Sequence, residues 1–347
     1  TPMLQLPGRK GQGVYPVPTL DLFAILSLFM VLIAIRTLVT TVRHRATLFD
    51  ATFTRADRQH LAEAAFFLLL PISVLFHEIG HAVAVRAFGG EIVGFGYYFF
   101  FGYVEHRGFY TPADLFWIAL SGNLVSVAMG VAAIAFVVLR PLSPPVNYLL
   151  FMFGAIDLVN SLVFYPVLDF AGGLVGDWSQ IYTRDTPVLS GVTGAIHVGL
   201  LAVAVVAWRS DRVRRLYAER TGVSPHVVRR VTRTEAASDL LAAGEQVAAT
   251  WRHPLRVVAD AQGDAVGVNL HWVSGGYGRV VGAYAITQGW RRVELHGGLQ
   301  AIDGNGASHQ QPLGVIEGIP RPPELAEALA RALDVVDRWE IPAPHPR

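Results

Sequence analysis

Five stretches of the chain are long and apolar enough to cross a membrane as helices. A spanning helix needs about 20 mostly apolar residues. The stretches cover approximately 20–40, 64–88, 115–139, 146–168 and 188–208. The first could be a signal peptide, but its apolar core is too long and no small-residue cleavage site follows, so we expect a retained anchor. The pattern predicts a polytopic α-helical membrane protein.

The pattern changes after Trp208. Eight arginines form a basic linker over 209–234: Arg209, Arg212, Arg214, Arg215, Arg220, Arg229, Arg230 and Arg233. From about Glu235, a helical period is followed by segments of β-branched or alternating character, and then by a final helix that opens at Pro322 and Pro323. This order predicts a small C-terminal α+β soluble domain over 235–347.

Glycine pairs punctuate this C-terminal domain. Gly275–Gly276 and Gly297–Gly298 are expected to form turns between strands. The VSGGYG segment that holds the first pair faintly resembles a phosphate loop, but it lacks the lysine and the following helix. A hairpin turn is the better interpretation.

Composition supports a membrane part joined to a soluble part. Of the 347 residues, 52% are hydrophobic and 16% are charged, and the mean hydropathy is +0.40. The formal net charge of +1 implies no general attraction to nucleic acid. The chain has no cysteine, so any metal must be held by His, Asp or Glu.

The second apolar stretch contains HEIGH, which places His77, Glu78 and His81 where lipid tails should lie. On a helix the two histidines share a face, because they are four residues apart. They can therefore bind one ion, while Glu78 can act on a water there. The alternative is a structural pair of buried histidines. Ionisable residues inside a membrane are costly and are functional candidates by default, which favours a metal.

A catalytic zinc usually has three protein ligands, so a third must come from another helix. Asp169 follows the fourth apolar stretch, and Pro166 is expected to break that helix and turn the chain inward. Asp177 and Asp157 compete for the same role. No spacing rule fixes a ligand between helices, so the residues favour Asp169 and leave the other two open.

The HEIGHAVAVRAFGG segment resembles the first motif of the site-2 protease family of intramembrane zinc metalloproteases. NSLVFYPVLDF is similar to the second motif, in which an Asn and prolines precede Leu-Asp-Gly, although Phe170 stands here in the Gly position. ALSGNLVSVAMG resembles the small-residue helix between the two. The resemblance covers about 64–173. It does not extend to the first helix, the fifth helix or the soluble domain.

The resemblance implies a zinc ion bound by His77, His81 and Asp169. It makes Glu78 the general base and gives Asn160 the task of holding the substrate backbone. The implied function is an intramembrane endopeptidase that cuts a membrane-embedded protein segment. The chain then divides into an N-terminal segment with the first helix (1–60), a metalloprotease-like membrane core (61–208), the linker and the soluble domain.

Two other classes stay open. One is a non-catalytic subunit, similar to this family, that scaffolds a larger complex with other membrane subunits. The other is a metal-dependent transporter or sensor. The expected location is a bacterial-type plasma membrane. The expected partners are a membrane-spanning protein substrate and membrane lipids, and not nucleic acid.

The aromatic segment over 94–110 has two interpretations. It is typical of an interfacial aromatic belt. The resemblance implies instead a membrane-entering β-hairpin, whose strand edge can pair with an extended substrate. Gly122 and Asn123, in the third apolar stretch, are expected to serve helix packing, with Asn123 a second choice for lining the site.

Orientation stays open because two arguments conflict. Excess arginine beside a membrane helix marks the cytoplasmic side, which places the C-terminal domain there. With five helices, the HEIGH helix then runs from inside to outside. The resembled family runs the opposite way.

Overall fold

The computed structural model describes residues 20–50, 52–140, 142–171, 176–302 and 308–340. Gly172 and Gly173, at the end of the second motif, and both chain ends lie outside the described residues. The chain divides into two compact units. One is Thr1–Trp208 with Arg220–Gly222, and the other is Arg209–Glu219 with Val223–Arg347.

The first unit is mainly helical. Its helices are α1 (Leu20–Arg43), α2 (Arg45–Leu48), α3 (Arg55–Ala64), α4 (Leu70–Ala87), α5 (Pro112–Leu139), α6 (Pro144–Val159), α7 (Tyr165–Ala171), α8 (Asp177–Ile181) and α9 (Pro187–Arg209). Short π-helical turns join α3 to α4 and α6 to α7, so each pair forms one continuous helix. Within the described residues, five helices are long and apolar enough to cross a membrane: Ile25–Arg43, Arg55–Ala87, Pro112–Leu139, Pro144–Ala171 and Pro187–Arg209.

The prediction that Pro166 breaks the fourth membrane helix is wrong. The chain stays helical from Pro144 to Ala171. Pro166 follows the π-helical turn Asn160–Phe164, so its missing N–H falls where the backbone already departs from α-helical hydrogen bonding, and the helix continues past it. Asp169 therefore lies inside the last turn of this helix.

The aromatic segment after α4 folds as an antiparallel hairpin of β1 (Glu91–Tyr97) and β2 (Gly102–Arg107). A β-hairpin, which is the fold that the resemblance implies for this segment, is therefore observed at this place. Tyr97 Oη donates a hydrogen bond of 2.7 Å to the Pro71 carbonyl in the first turn of α4. This bond holds the hairpin against the helix that carries HEIGH.

The second unit contains the predicted C-terminal sheet region. Its elements are α10 (Asp211–Thr221, of which Arg220 and Thr221 belong to the first unit), α11 (Pro225–Val228), α12 (Arg233–Ala248), β3 (Arg256–Gln262), β4 (Ala265–Ser274), β5 (Tyr277–Ile286), β6 (Arg292–Ala301), β7 (Ser308–Glu317) and α13 (Pro322–Asp337). The strands form one antiparallel sheet in chain order. Val268, Leu270 and Val281 pack with Leu329 and Leu333 of α13 in a buried core.

The turns predicted at the two glycine pairs differ in outcome: one is confirmed and the other is wrong. Gly275 and Gly276, with φ of +57° and +79°, form the two-residue turn between β4 and β5, so the predicted hairpin is confirmed. Gly297 and Gly298 lie inside β6, so the turn predicted there is wrong. An added Cβ at Gly297 would meet the Trp339 ring at 2.6 Å, so this glycine makes room for a packed side chain.

Asp337 joins the end of α13 to the sheet. It accepts hydrogen bonds from Trp272 Nε1 (2.9 Å), Ser274 Oγ (2.6 Å) and Arg252 Nη2 (2.6 Å). Burial raises the pKa of Asp337, but the bonds from Ser274, Arg252 and Trp272 outweigh it and hold the pKa well below its ordinary value. The ionised form is therefore the one that stabilises the fold.

Asp337→Ala is expected to destabilise the second unit by about 2–3 kcal/mol at pH 7, because it leaves the indole N–H of buried Trp272 and the hydroxyl of half-buried Ser274 without this acceptor. The contribution is complete above the ordinary carboxyl pKa and is lost as the pH falls through the lowered folded value. Scanning calorimetry of the full chain in detergent measures the effect.

Asp334→Ala is the matched control for this prediction. Asp334 also contacts Arg252, at 2.8 Å, but its side chain is 43% exposed against 12% for Asp337. An exposed ion pair contributes less than about 1 kcal/mol. Equal losses in the two variants would contradict the role given to Asp337.

Candidate metal centre

The two HEIGH histidines lie buried on one face of α4. His77 and His81 are each 7% exposed, and their Nε2 atoms lie 3.0 Å apart. Gly122 of α5 faces them. A Cβ there would meet His81 Nε2 and would lie 2.7 Å from His77 Nε2, so only glycine leaves space for both rings. The small residue expected to serve helix packing therefore also shapes the site.

The carboxylate beside the two imidazoles belongs to Asp177, the first residue of α8. Its Oδ2 lies 3.0 Å from His77 Nε2 and 3.0 Å from His81 Nε2. Among the described residues, this group of three is the one with the spacing of a metal site. The placement of Asp169 beside the histidines, favoured from the sequence, is not what the structure shows.

Asp169 instead holds the start of α8. Its Oδ2 accepts a 2.8 Å hydrogen bond from the Trp178 backbone N–H, and the residue is 4% exposed. Gly176 packs directly against this carboxyl, where any side chain would clash. Asp169 thus faces the backbone next to Asp177 rather than the imidazoles, and it supports the residue that takes its expected place.

Both imidazoles are held through their second ring nitrogens. His81 Nδ1 lies 2.7 Å from the Ile118 carbonyl, which only accepts, so Nδ1 carries the hydrogen and Nε2 is free to bind an ion. His77 Nδ1 lies 3.2 Å from Ser126 Oγ. Histidines that bind metals are usually oriented by such second-nitrogen bonds.

Asn123 lines the site as well. Its Nδ2 donates a 3.2 Å hydrogen bond to Asp177 Oδ2. The expectation that it serves mainly helix packing is therefore incomplete, and the second choice of lining the site is the one observed.

Glu78 of α4, next to His77 in the chain, is 5% exposed, and its side chain lies against the beginning of β2. A Cβ added at Gly102 would lie 2.8 Å from Glu78 Oε1, so the first residue of β2 crosses directly over this carboxyl. The hairpin and the glutamate are thereby in contact. A peptide that pairs with this strand would therefore lie near both the Glu78 carboxylate and the candidate metal site.

Two other residues singled out in the sequence lie apart from the three ligating atoms. Asn160 begins the π-helical turn and is partly buried, and within the described residues its side chain makes no hydrogen bond to the histidines or Asp177. Asp157 accepts a 2.8 Å bond from Ser73 Oγ, one turn before His77. Neither residue is a ligand in this geometry.

The donor set fits a zinc ion. In tetrahedral coordination with bonds of about 2.0–2.1 Å, ligand atoms lie roughly 3.3 Å apart. The three pairwise distances among His77 Nε2, His81 Nε2 and Asp177 Oδ2 are all 3.0 Å. Three acceptor atoms this close need a cation or a proton between them, because their lone pairs repel one another. Two imidazoles and one carboxylate leave a fourth position open, as in catalytic zinc sites.

No family model matches the chain, and neither a curated protein nor a solved structure matches it.

Proposed function

We propose that the chain is an intramembrane zinc endopeptidase that cuts a membrane-embedded protein segment. The observation that supports this best is the convergence of His77, His81 and Asp177, with Glu78 next to them. Both histidines and the glutamate lie on a helix that is apolar enough to cross a membrane. Buried ionisable groups in such a helix are costly, and function is the usual reason for them.

Each residue has a role in this chemistry. When bound, zinc polarises the scissile carbonyl and lowers the pKa of water toward neutrality. His77, His81 and Asp177 would hold the ion, and Asn123 orients the Asp177 carboxylate through its hydrogen bond. The Glu78 carboxylate takes a proton from the attacking water and returns it to the leaving amine. A purely structural ion would have no use for a carboxylate at this position.

The hairpin supports a protein substrate. An intact helix buries its amide groups in its own hydrogen bonds, so a scissile bond must first be held extended. Among the described residues, β1 and β2 form a two-stranded sheet, and their outer edges have no strand partner. An extended peptide can add to such an edge through backbone bonds. Because Gly102 lies on Glu78, that peptide would reach the catalytic carboxyl.

The proposal is tested by comparing cells that express the wild-type chain or Glu78→Gln. New protein ends inside apolar segments, present only with the wild type, would support the peptidase. Absence of such ends, together with firm association with other membrane subunits, would favour the non-catalytic scaffold. A transporter or sensor would bind the metal and leave the membrane proteins uncut.

A further inference from the structure

His197 is a polar residue near the middle of α9, a helix with no buried residue. The neighbouring Ile196 and Val198 are 58% and 67% exposed, as suits a helix that contacts lipid. A histidine there needs compensating partners, because hydrocarbon offers none. His197 has partners on both ring nitrogens and on its ring face, and none of them belongs to the group of three proposed ligands.

The two ring nitrogens of His197 have fixed roles. Nε2 lies 2.7 Å from the Leu162 carbonyl, which only accepts, so Nε2 carries the hydrogen. Nδ1 is then an acceptor in the neutral ring, and Tyr182 Oη donates to it at 2.7 Å. The histidine is therefore satisfied as a neutral side chain in one tautomer.

The Leu162 carbonyl has a reason to need this partner. In an α-helix its donor would be the N–H of residue 166, and Pro166 has no N–H. A carbonyl without a donor is costly in an apolar environment. His197 supplies the donor, so α9 is joined to the distorted segment between α6 and α7.

His197 also holds α8. Its ring stacks on Trp178, with centroids 4.6 Å apart and an interplanar angle of 29°, and Tyr182 follows directly after α8. Trp178 is 2% exposed, and its backbone N–H is bonded to Asp169. A five-residue helix cannot hold its own position, because helices this short are unstable alone. The bond from Asp169 and the contacts of His197 together keep it in place.

We propose that His197 is a positioning residue, which sets zinc affinity by holding α8 so that Asp177 meets the two imidazoles. The inference rests on the proposed zinc site. It adds a dependence that the three ligating residues do not imply: the geometry of the metal centre requires a bond between α9 and the Leu162 carbonyl, whose α-helical donor proline removes. His197 itself touches neither the ligating atoms nor the substrate edge.

The test compares three variants of the full chain in detergent. His197→Phe keeps a ring for Trp178 and loses both hydrogen bonds. Tyr182→Phe removes a single hydroxyl and is the milder variant. Val203→Ala is the matched control, because Val203 lies on the same helix and is 66% exposed. Zinc affinity is measured by competition with a chelator, and amide hydrogen exchange of α8 is measured in the metal-free chain.

We expect His197→Phe to bind zinc about 10–100-fold more weakly, as is usual when a residue that orients a ligand is removed. Tyr182→Phe should show a smaller loss in the same direction, and Val203→Ala should match the wild type. In metal-free His197→Phe, the amides of α8 should exchange faster, while those of α12 in the other unit should be unchanged. A loss of overall folding would speed both.

Zinc affinities of His197→Phe and Tyr182→Phe within about twofold of the wild type would overturn the positioning role. A wild-type chain that binds no zinc would instead remove the metal site of the proposed function. In that case the exchange data still decide whether His197 holds α8, because they need no metal. Unchanged exchange of the α8 amides in His197→Phe would show that His197 does not hold this helix in place.

Discussion

Glu78→Gln is expected to abolish cleavage of membrane proteins while the chain keeps its fold and its zinc. The amide has nearly the same shape as the carboxyl, and Glu78 is not among the three atoms that converge on the site. Glutamine cannot take a proton from water at neutral pH, so the loss of general-base catalysis alone should slow cleavage by about 10²–10⁴-fold. Quantitative analysis of protein ends in matched membrane fractions measures it.

The controls for this prediction are zinc content and amount of chain in the membrane, which should both equal those of the wild type. Glu63→Gln is a matched substitution on the same continuous helix, about four turns from Glu78, and it should leave cleavage unchanged. Undiminished cleavage by the Glu78→Gln chain would remove the proposed mechanism. Loss of zinc in that variant would show that Glu78 is a ligand rather than the base.

The second large effect concerns the third ligand. Asp177→Asn should weaken zinc binding by at least about 100-fold, because it removes the charged oxygen that lies 3.0 Å from both imidazoles. Asp169→Asn should cost less than about tenfold, since the amide oxygen can still accept the bond from the Trp178 N–H. Chelator competition with the purified proteins gives both affinities.

The two substitutions control each other, because they make the same chemical change at neighbouring carboxyls in the fold. If Asp169→Asn weakened zinc binding more than Asp177→Asn, Asp169 would be the third ligand, as the sequence favoured. Equal and large losses would show that both carboxyls contact the ion. The geometry described here requires the larger loss at Asp177.

The membrane helices could be predicted from the sequence because their signal is local. The length and apolar composition of a segment are enough to predict a membrane helix, and the five helices lie where the pattern placed them. The strand β7 could not be found in this way. It begins with polar residues and contains Pro312, which is tolerated there because β7, within the described part of the chain, is an edge strand that pairs with β6.

In the candidate site, too, one part could be predicted from local spacing and another part could not. The shared helix face of His77 and His81 follows from their spacing alone. The third carboxyl depends on the path of the chain beyond α7, and no period in the sequence encodes that path. The signal that could have helped was indirect: Pro166 removes the α-helical donor to the Leu162 carbonyl, which favours a polar partner such as His197 on an adjacent helix.

The measurement that tests the central claim most directly is the metal content of the purified chain, by elemental analysis of the wild type and of His77→Ala/His81→Ala. We predict about one zinc per wild-type chain and almost none in the double variant, because two of the three protein ligands are removed. Stoichiometric zinc that persists in the double variant, or a folded wild type that takes up no zinc, would contradict the account.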